Sequence, residues 1–348
     1  MSKTVRIGII GAGGIAREAH LPGYIAQKER GVEVVAVCDV VPGKAAAFAT
    51  KFDIPRSYES YGEMLDKEDL DAVSVCTPNI AHKKATVAAL GAGLHVLCEK
   101  PIAMNLDEGR EMVEAAHKAG KVLQIGLQKR FEPESQTIKR FVEAGDFGDV
   151  YYGEATYLRR RGIPNWGVFT QKKLQGGGAL IDIGVHALDL TMWLMGNPKP
   201  VAVMGATYDM FGKRKGVVSP WGPWDPDKFD VDDMGVAMVR FENGATLILR
   251  ASWAMHMDNI AQTRVLGTKG GASTPPLCIY KDMHGAMVNI TPTTLPKYRA
   301  HTKEVEHFIA CVKGEAECLV VPEQVLDVQA VLDAVYRSSE TGQQVLLD

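Results

Sequence analysis

The segment GGGALIDIGVHALDL, residues 176–190, places acid–base side chains in a nearly continuous apolar sequence. Asp182, His186 and Asp189 are spaced so that they fall on one stripe of a helix. A carboxylate or an imidazole in an apolar environment must find a partner or shift its pKa. Three such side chains on one face of an apolar helix therefore indicate a specific structural or functional role. The pattern fits proton transfer near neutral pH, and a satisfied buried pair is the alternative.

A second group of charged side chains follows a buried-strand pattern. The apolar run LHVLC at 94–98 leads directly into Glu99, Lys100 and Pro101. In open α/β sheets the ligand crevice lies at the carboxyl ends of the strands, so this charged pair is expected to face a ligand. A surface ion pair is the plainer alternative. The peptide bond before Pro101 can adopt the cis form. A cis bond would fix the backbone where a catalytic side chain must be oriented.

Glycines and a carboxylate follow the first two predicted strands. The segment GAGGIA at 11–16 fits the pattern GxGxxA between a strand and a helix, where backbone N–H groups can approach a pyrophosphate. Asp39 ends the second strand, where a carboxylate that binds ribose hydroxyls is expected. A glycine-rich turn without a ligand is the alternative for the glycines alone. The combined context predicts a dinucleotide site.

Asp39 also distinguishes between the two nicotinamide dinucleotides. A 2′-phosphate about 4 Å from its carboxylate would be repelled by several kcal/mol. Val40 and Val41 offer no cation to hold that phosphate, although a cation folding in from elsewhere, such as Lys44, is an open alternative. The sequence therefore favours NAD over NADP.

The elements that would position these residues alternate along the first third of the chain. Short Val- and Ile-rich runs are separated by helical patterns, as in a parallel sheet covered on both faces. The predicted strands are 5–10, 32–38, 70–76, 94–98 and 122–126. Residues 1–128 are therefore predicted to form a doubly wound α/β domain.

The pattern changes after residue 130, where the strands become longer and alternate between apolar and polar residues. Such alternation indicates a sheet with only one buried face. The predicted strands are 149–160, 200–209, 233–241, 245–254 and 259–266, and the predicted helices are 132–144, 302–313 and 322–340. Residues 211–232, rich in Gly, Pro and Trp, are predicted to form a long loop. Residues 129–348 are expected to form a second domain, of the α+β class. An open alternative for its C-terminal helix is that it packs back on the first domain.

Composition narrows the classes of function. The 348 residues, of which 46% are hydrophobic and 23% charged, are typical of a globular protein with two domains. A net charge of -3 gives no reason to expect nucleic acid or an anionic membrane as a partner. The first residues lack a secretory signal and the six cysteines are scattered, which predicts a cytoplasmic protein with reduced thiols. The nine histidines form no metal-binding motif, so no metal is expected.

Taken together, these motifs resemble one family over essentially the whole chain. The segments GAGGIA, CTPN at 76–79 with His82, EKP at 99–101 and GGGALIDIGVHALD are similar to the glucose-fructose oxidoreductase, inositol dehydrogenase and rhizopine-catabolism (Gfo/Idh/MocA) family. The C-terminal segment LDAVYRSSETGQQVLL is similar to the closing helix and strand of that family. The resemblance implies a Rossmann domain, then a domain with a large open-faced mixed β-sheet, with the nicotinamide between them.

The resemblance also implies roles for individual residues. Lys100, Asp182 and His186 match the family's catalytic residues: His186 would take a hydroxyl proton, Lys100 would stabilise the alkoxide, and Asp182 would orient a partner or bind a neighbouring hydroxyl. The expected cofactor contacts are Gly11, Gly13, Gly14, Ile15, Asp39, Thr77, Pro78, Asn79, His82, Glu99, Lys100 and Gln128. The expected substrate contacts are Arg130, Trp166, Asp182 and His186; Trp166, Trp221 and Trp224 either stack on a sugar, anchor their loops or contact another subunit.

The activity implied by the resemblance is NAD-dependent dehydrogenation of a ring hydroxyl in a sugar, glycoside, anhydrosugar or inositol. One alternative is a glycosidase that oxidises its substrate transiently with bound NAD. The other is a non-catalytic dinucleotide-binding regulator, against which the intact Lys100, Asp182 and His186 argue. The exposed face of the second sheet predicts a homodimer or homotetramer.

Overall fold

A computed structural model describes residues 4–347 of the protein. The strands are β1 (Val5–Ile10), β2 (Val32–Cys38), β3 (Arg56–Tyr58), β4 (Ala72–Val75), β5 (His95–Glu99), β6 (Leu123–Gly126), β7 (Val150–Leu158), β8 (Pro200–Tyr208), β9 (Met234–Phe241), β10 (Thr246–Ser252), β11 (Ile260–Gly267), β12 (Gly270–Thr274), β13 (Cys278–Met283), β14 (Ala286–Ile290) and β15 (Val345–Leu346). The α-helices are α1 (Leu21–Ile25), α2 (Lys44–Phe52), α3 (Tyr61–Lys67), α4 (His82–Gly91), α5 (Leu106–Ala119), α6 (Pro133–Glu143), α7 (Lys172–Gln175), α8 (Val185–Leu194), α9 (Ala300–Val312) and α10 (Pro322–Thr341). π-Helical turns at Ala16–His20 and Leu180–Gly184 lead directly into α1 and α8.

The chain divides into two compact units. The first contains the residues up to Phe131 together with Tyr298–Leu326, and the second contains Glu132–Lys297 together with the residues from Asp327 onward. The predicted boundary after residue 128 lies close to the break at Phe131.

The helix α9 was predicted to lie in the second domain, but it belongs to the first unit. Its residues Val305, Phe308 and Ile309 share one buried cluster with Ile7 of β1 and Leu97 of β5. The apolar side of α9 therefore completes the cover of the first sheet, and burial of that side stabilises this arrangement.

The first unit is built on a six-stranded sheet in the order β3-β2-β1-β4-β5-β6. All of its neighbouring strands are parallel. The central strands are almost completely buried because helices cover both faces, which explains their continuous apolar sequences. The prediction of a doubly wound parallel sheet is confirmed. The short strand β3 escaped prediction because two of its three residues are exposed and the segment carries no apolar run.

The second unit contains a nine-stranded sheet in the order β14-β13-β12-β11-β7-β10-β9-β8-β15. Strands β7 and β10 are parallel, and the other neighbouring strands are antiparallel. The predicted open-faced mixed sheet is confirmed. Strands β12–β14 were not predicted: β13 and β14 form an edge hairpin with mostly exposed residues, so burial leaves little pattern in their sequence.

Helices cover one face of this second sheet. Cβ atoms built at Gly153 and Gly235 would lie within 3.3 Å of Thr191 of α8 and Leu180 of its π turn, so glycines allow the helix to lie close to the strands. The opposite face carries half-exposed apolar side chains, including Met204 and Met238. The helix that carries the predicted acid–base residues thus rests on a broad sheet.

Among residues 4–347, no helix is both long and apolar enough to cross a membrane.

Candidate functional site

The glycine-rich turn after β1 has the backbone shape that a dinucleotide site needs. Gly11 has φ of +100°, and a Cβ atom there would lie 2.6 Å from the carbonyl oxygen of Cys76, so only glycine fits. A Cβ atom at Gly14 would meet nothing within 4 Å, which leaves open space above the turn. A helical segment runs from here to residue 25, so its N-terminal N–H groups point toward the turn.

Asp39 lies at the carboxyl end of β2, directly beside this turn. Its Oδ2 accepts a hydrogen bond from the Ala12 backbone N–H (2.9 Å), and its Oδ1 accepts one from the Val41 N–H (3.0 Å). The Lys44 ammonium also contacts Oδ2, at 2.6 Å. The carboxylate is therefore held in place, and Lys44, the cation that the sequence left open, is its ion-pair partner.

The segment after β4 contributes three of the predicted cofactor residues. Thr77 Oγ1 is buried and meets no hydrogen-bond partner within residues 4–347, whereas Pro78 is exposed and Asn79 is buried. The ring of His82, at the start of α4, lies between two backbone carbonyls: Nδ1 is 2.8 Å from Pro101 O and Nε2 is 3.0 Å from Thr77 O. Burial lowers the pKa of His82. This ring joins the segments that follow β4 and β5.

A buried polar chain that the sequence analysis missed supports Glu99. His20, in the π turn before α1, places Nε2 2.9 Å from Glu99 Oε1 and Nδ1 2.9 Å from Ser74 Oγ. The Tyr24 hydroxyl continues the chain, 2.6 Å from the same Ser74 oxygen. Burial by itself raises the pKa of Glu99, but the hydrogen bond and charge of His20, with Lys100, outweigh it and hold that pKa below its ordinary value.

Lys100, Gln128 and Arg130 complete the predicted residues of the first unit. Lys100 is half-buried at the end of β5 and precedes a cis bond to Pro101. Gln128 is half-buried just after β6. Arg130 is completely buried, and its Nη1 donates to the Leu319 carbonyl and to Gln324 Oε1. These bonds give Arg130 a structural role.

These residues fit an NAD molecule. The glycine turn, the carboxylate of Asp39 and the unpartnered hydroxyl of Thr77 lie at the carboxyl ends of β1, β2 and β4, where parallel sheets bind dinucleotides. A buried hydroxyl without a partner costs free energy unless a ligand satisfies it. The first unit thus places the residues predicted for pyrophosphate and ribose at one edge of its sheet.

The second unit carries the predicted acid–base residues on one helix. Asp182 lies in the π turn and is half-buried, and its Oδ2 accepts a hydrogen bond from Trp253 Nε1–H at 3.0 Å. His186 and Asp189 lie in α8, where both are buried. Asp189 is completely buried, whereas Asp182 is half-buried, so the three residues of the predicted stripe differ in their exposure to solvent. The π turn, which is a common feature of functional sites, was not visible in the sequence.

Steric contacts explain why glycines stand at the start of this helix. A Cβ atom at Gly178 would lie 1.8 Å from the backbone oxygen of Asp232, and one at Gly177 would lie 2.0 Å from the Tyr336 hydroxyl. The Asp232 carboxylate accepts hydrogen bonds from the N–H groups of Gly178 and Leu180 and from the Tyr336 hydroxyl. Burial raises the pKa of Asp232. Asp232 therefore caps and fixes the helix that carries Asp182 and His186.

The three tryptophans of the loops divide into two roles. Trp224 Nε1–H donates to the Gly212 carbonyl at 2.7 Å and so anchors the long loop, which contains a short 3₁₀ turn at Pro226–Lys228. The Trp166 and Trp221 rings lie 5.3 Å apart, and Trp166 is 54% exposed. Trp166 therefore has a face open to a ligand or another surface.

Within residues 4–347, no group of three or more His, Cys, Asp or Glu side chains is arranged to hold a metal ion.

Two family models match the chain. The model for an oxidoreductase family with an NAD-binding Rossmann fold matches residues 5–127, and the model for the GFO/IDH/MocA C-terminal domain matches residues 135–273. D-glucoside 3-dehydrogenase of Escherichia coli (strain K12) is 37% identical, over 99% of this chain and 98% of that protein.

Two solved structures extend the comparison. Aldose-aldose oxidoreductase from Caulobacter crescentus, complexed with glycerol, is 27% identical with a TM-score of 0.82 and covers 99% of this chain and 100% of that chain. Levoglucosan dehydrogenase in complex with NADH is 24% identical with a TM-score of 0.87, also covers 99% of this chain and 100% of that chain, and shares the fold. Given the matched models and the relative aligned over its whole length, the chain belongs to the Gfo/Idh/MocA family and is an NAD-dependent oxidoreductase.

Proposed function

We propose that the protein oxidises a ring hydroxyl of a sugar, glycoside, anhydrosugar or inositol to a ketone, reversibly, with NAD as the hydride acceptor. One observation carries the proposal: Lys100, Asp182 and His186 are all present in a chain that is 37% identical to a D-glucoside 3-dehydrogenase over 99% of its length. Glucosides, oxidised at the 3-hydroxyl, are therefore the first substrates to test.

In this proposal the first unit binds the cofactor. The N–H groups of the glycine turn receive the pyrophosphate, and the carboxylate of Asp39 accepts hydrogen bonds from the ribose hydroxyls. Thr77 gives its hydroxyl to the same ligand. Glu99, fixed by His20, accepts a hydrogen bond from the backbone N–H of Lys100. NAD, when bound, supplies the nicotinamide ring that accepts a hydride.

The acid–base work belongs to three side chains. His186 removes the proton of the substrate hydroxyl, since the unperturbed pKa of an imidazole lies near the working pH. Lys100 donates a hydrogen bond to the same oxygen and stabilises the negative charge that develops there. Asp182, whose carboxylate is fixed by Trp253, binds a neighbouring hydroxyl or orients a partner.

The proposal is tested by mixing the purified full chain with NAD, and separately with NADP, across glucosides, hexoses, anhydrosugars and inositols. The absorbance of reduced nicotinamide is followed. Formation of NADH with one class of ring hydroxyl is expected. Product formed while NAD is never released as NADH would favour the transient-oxidation glycosidase. Binding of NAD with no turnover of any compound would favour the regulator.

Replacement of His186 tests the catalytic assignment. His186→Ala should lower kcat by about 10²- to 10⁴-fold, because general base catalysis typically contributes that much. NAD should still bind with unchanged affinity, which calorimetry would measure. His284→Ala, which removes an exposed histidine in a turn, is the matched control and should retain full turnover. Full turnover in His186→Ala would refute the assignment.

We also propose that the chain assembles into a homodimer or homotetramer through the open face of the second sheet. The support is the presence of half-exposed apolar side chains on neighbouring strands, at Met204 and Met238. A cytoplasmic location, expected from the cysteine pattern, stays a prediction.

A further inference from the structure

Two tryptophans of the second unit form an exposed aromatic platform. Trp166 lies in the segment after β7, and Trp221 lies in the long loop before β9. Their ring centroids are 5.3 Å apart, and 54% of Trp166 and 38% of Trp221 is exposed. Within residues 4–347, neither indole N–H donates a hydrogen bond. The platform therefore combines an apolar surface with two donors that no protein group satisfies.

Contacts from two distant segments hold this platform. The Arg159 guanidinium stacks on the Tyr157 ring and on the Trp221 ring, 5.1 and 5.0 Å from their centroids. The side-chain amide of Asn165 donates to the carbonyl of Trp221. Such contacts fix the aromatic rings in place, which reduces the conformational entropy that is lost when a ligand binds.

The platform shares a buried cluster with the partner of Asp182. Trp166 packs edge-on against Phe169, with ring centroids 6.3 Å apart. Phe169 in turn packs against the cluster that contains Ile183 and Trp253. The Trp253 indole N–H is the donor to the Asp182 carboxylate. This chain of contacts makes the platform a neighbour of Asp182 within the second unit, with other side chains between the two.

The polar groups of the platform suit a sugar better than an apolar ligand. One face of a pyranose ring carries C–H groups that pack on an indole, and its hydroxyls project from the rim. Arg159 meets the Gly162 carbonyl and the Tyr157 hydroxyl only at 3.5 Å, and it has no carboxylate partner within residues 4–347. Bonds of that length are weak, so the guanidinium can donate to sugar hydroxyls. An apolar ligand would leave these donors unpaired.

The area of the platform is small for a protein partner. An aromatic side chain offers about 250 Å² at most, so the exposed parts of Trp166 and Trp221 together offer on the order of 200 Å². A stable interface needs about 800 Å² from each partner. The platform therefore suits a single small ring.

We propose that the platform binds a second sugar ring, so that the preferred substrates are disaccharides or longer glycosides. The ring that is oxidised contacts Asp182 and His186, and the ring joined to it stacks on Trp166 and Trp221. Arg159 donates to a hydroxyl of this second ring. The inference rests on the proposed function, because it names the class of glycoside that the proposed reaction takes.

The test compares disaccharides with methyl glucosides of the same anomeric configuration. The full chain is assayed with NAD on maltose against methyl α-glucoside, and on cellobiose against methyl β-glucoside. In the wild type, at least one disaccharide should have a kcat/KM about tenfold above that of its methyl glucoside, as expected for one well-packed aromatic contact. Trp166→Ala should abolish this preference mainly through KM, because stacking on the second ring is equal in the ground state and the transition state.

Matched variants separate stacking from other effects. Trp166→Phe keeps an aromatic face but loses the N–H donor, so it should retain part of the preference. Tyr151→Ala removes an aromatic side chain that is also 54% exposed, at the other end of β7, and should keep the full preference. Phenyl β-glucoside, whose second ring lacks hydroxyls, should be a poorer substrate than the preferred disaccharide.

A binding measurement separates this inference from the proposed function. Calorimetry of the chain saturated with NADH should show disaccharide binding that weakens about tenfold in Trp166→Ala. If no compound yields NADH, the proposed dehydrogenase activity is refuted. Calorimetry then still decides whether the platform binds the second ring, since it needs no turnover.

Three results would overturn the inference. One is a disaccharide preference, or a disaccharide affinity, that is the same in the wild type and in Trp166→Ala. Another is a preference for phenyl β-glucoside over every disaccharide that depends on Trp166, which would assign the platform to an apolar group. The third is a lower mass of Trp166→Ala in light scattering with an unchanged sugar preference, which would assign the platform to a second copy of the chain.

Discussion

At the scale of single residues, two histidines organise the first unit through both of their ring nitrogens. His20 joins Ser74 to Glu99, and His82 lies between the carbonyls of Thr77 and Pro101. Buried polar groups are costly unless they are bonded, so each ring fixes the strand ends that it connects. The groups proposed to bind the cofactor are thereby held in place by the protein itself.

Glu99 should make the stability of the first unit depend on pH. Because its pKa is depressed in the folded protein, its contribution is present above the unfolded pKa and is lost as the pH falls through the folded pKa. Glu99→Gln should lower the free energy of unfolding by about 1–3 kcal/mol near neutral pH. Urea unfolding near pH 7 and near pH 4 should show the difference from the wild type shrinking in acid. An equal difference at both pH values would contradict this.

We expect Asp39 and Lys44 to determine the choice between NAD and NADP. Asp39→Ser should weaken NAD about tenfold, because a charged acceptor of the ribose hydroxyls is lost. The same change should strengthen NADP, because the repulsion disappears and the Lys44 ammonium loses its partner at 2.6 Å. Calorimetric dissociation constants would measure both changes. Adding Lys44→Ala should cancel the gain in NADP affinity, and retention of that gain would assign it to another residue.

At the scale of elements, the first turn of the acid–base helix depends on close contact with the segment around Asp232. The backbone of Gly178 lies against the Asp232 carbonyl, and the Asp232 carboxylate binds two N–H groups of that turn. The aim of Asp182 and His186 therefore depends on glycines that bear no functional group.

Gly178→Ala should destabilise the second unit by about 3 kcal/mol or more, because its Cβ atom would lie 1.8 Å from a backbone oxygen that cannot easily move. Thermal unfolding followed by circular dichroism would measure the loss. The control is Gly91→Ala at the end of α4, where a Cβ atom meets nothing within 4 Å; it should be neutral or slightly stabilising. Equal unfolding temperatures for the two variants would refute the steric account.

At the scale of the whole molecule, the open face of the second sheet is the surface through which we expect the chain to associate. A row of directly opposed residues crosses five strands: Met204, Met238, Ile248, Glu154 and Arg264. Its first three members are apolar, and Glu154 and Arg264 form an ion pair at 2.9 Å. An apolar patch with a charged rim is typical of a surface that binds a second copy.

Met238→Glu should therefore reduce the mass measured by light scattering to that of a smaller assembly, because a buried carboxylate without a partner opposes association. Ile25→Glu in α1, an equally apolar but exposed position of the first unit, is the control and should leave the mass unchanged. A wild-type chain that is already monomeric at micromolar concentration would overturn the proposed assembly.

Much of the first unit followed from the sequence alone. Continuous apolar runs specified the parallel strands, and Gly11, Asp39 and Lys100 stand at strand ends as predicted. Such local signals suffice to predict these elements, because the burial of a strand and the shape of a turn depend mainly on residues that are adjacent in the sequence.

Only the tertiary structure decided the features that join distant segments. His20 reaches Glu99, and Asp232 caps the helix that begins near Gly178. The placement of α9 on the first sheet was decided in the same way. These contacts depend on which surfaces pack together, and a hydrogen bond between residues far apart in the chain leaves no periodic trace in the sequence on either side of it.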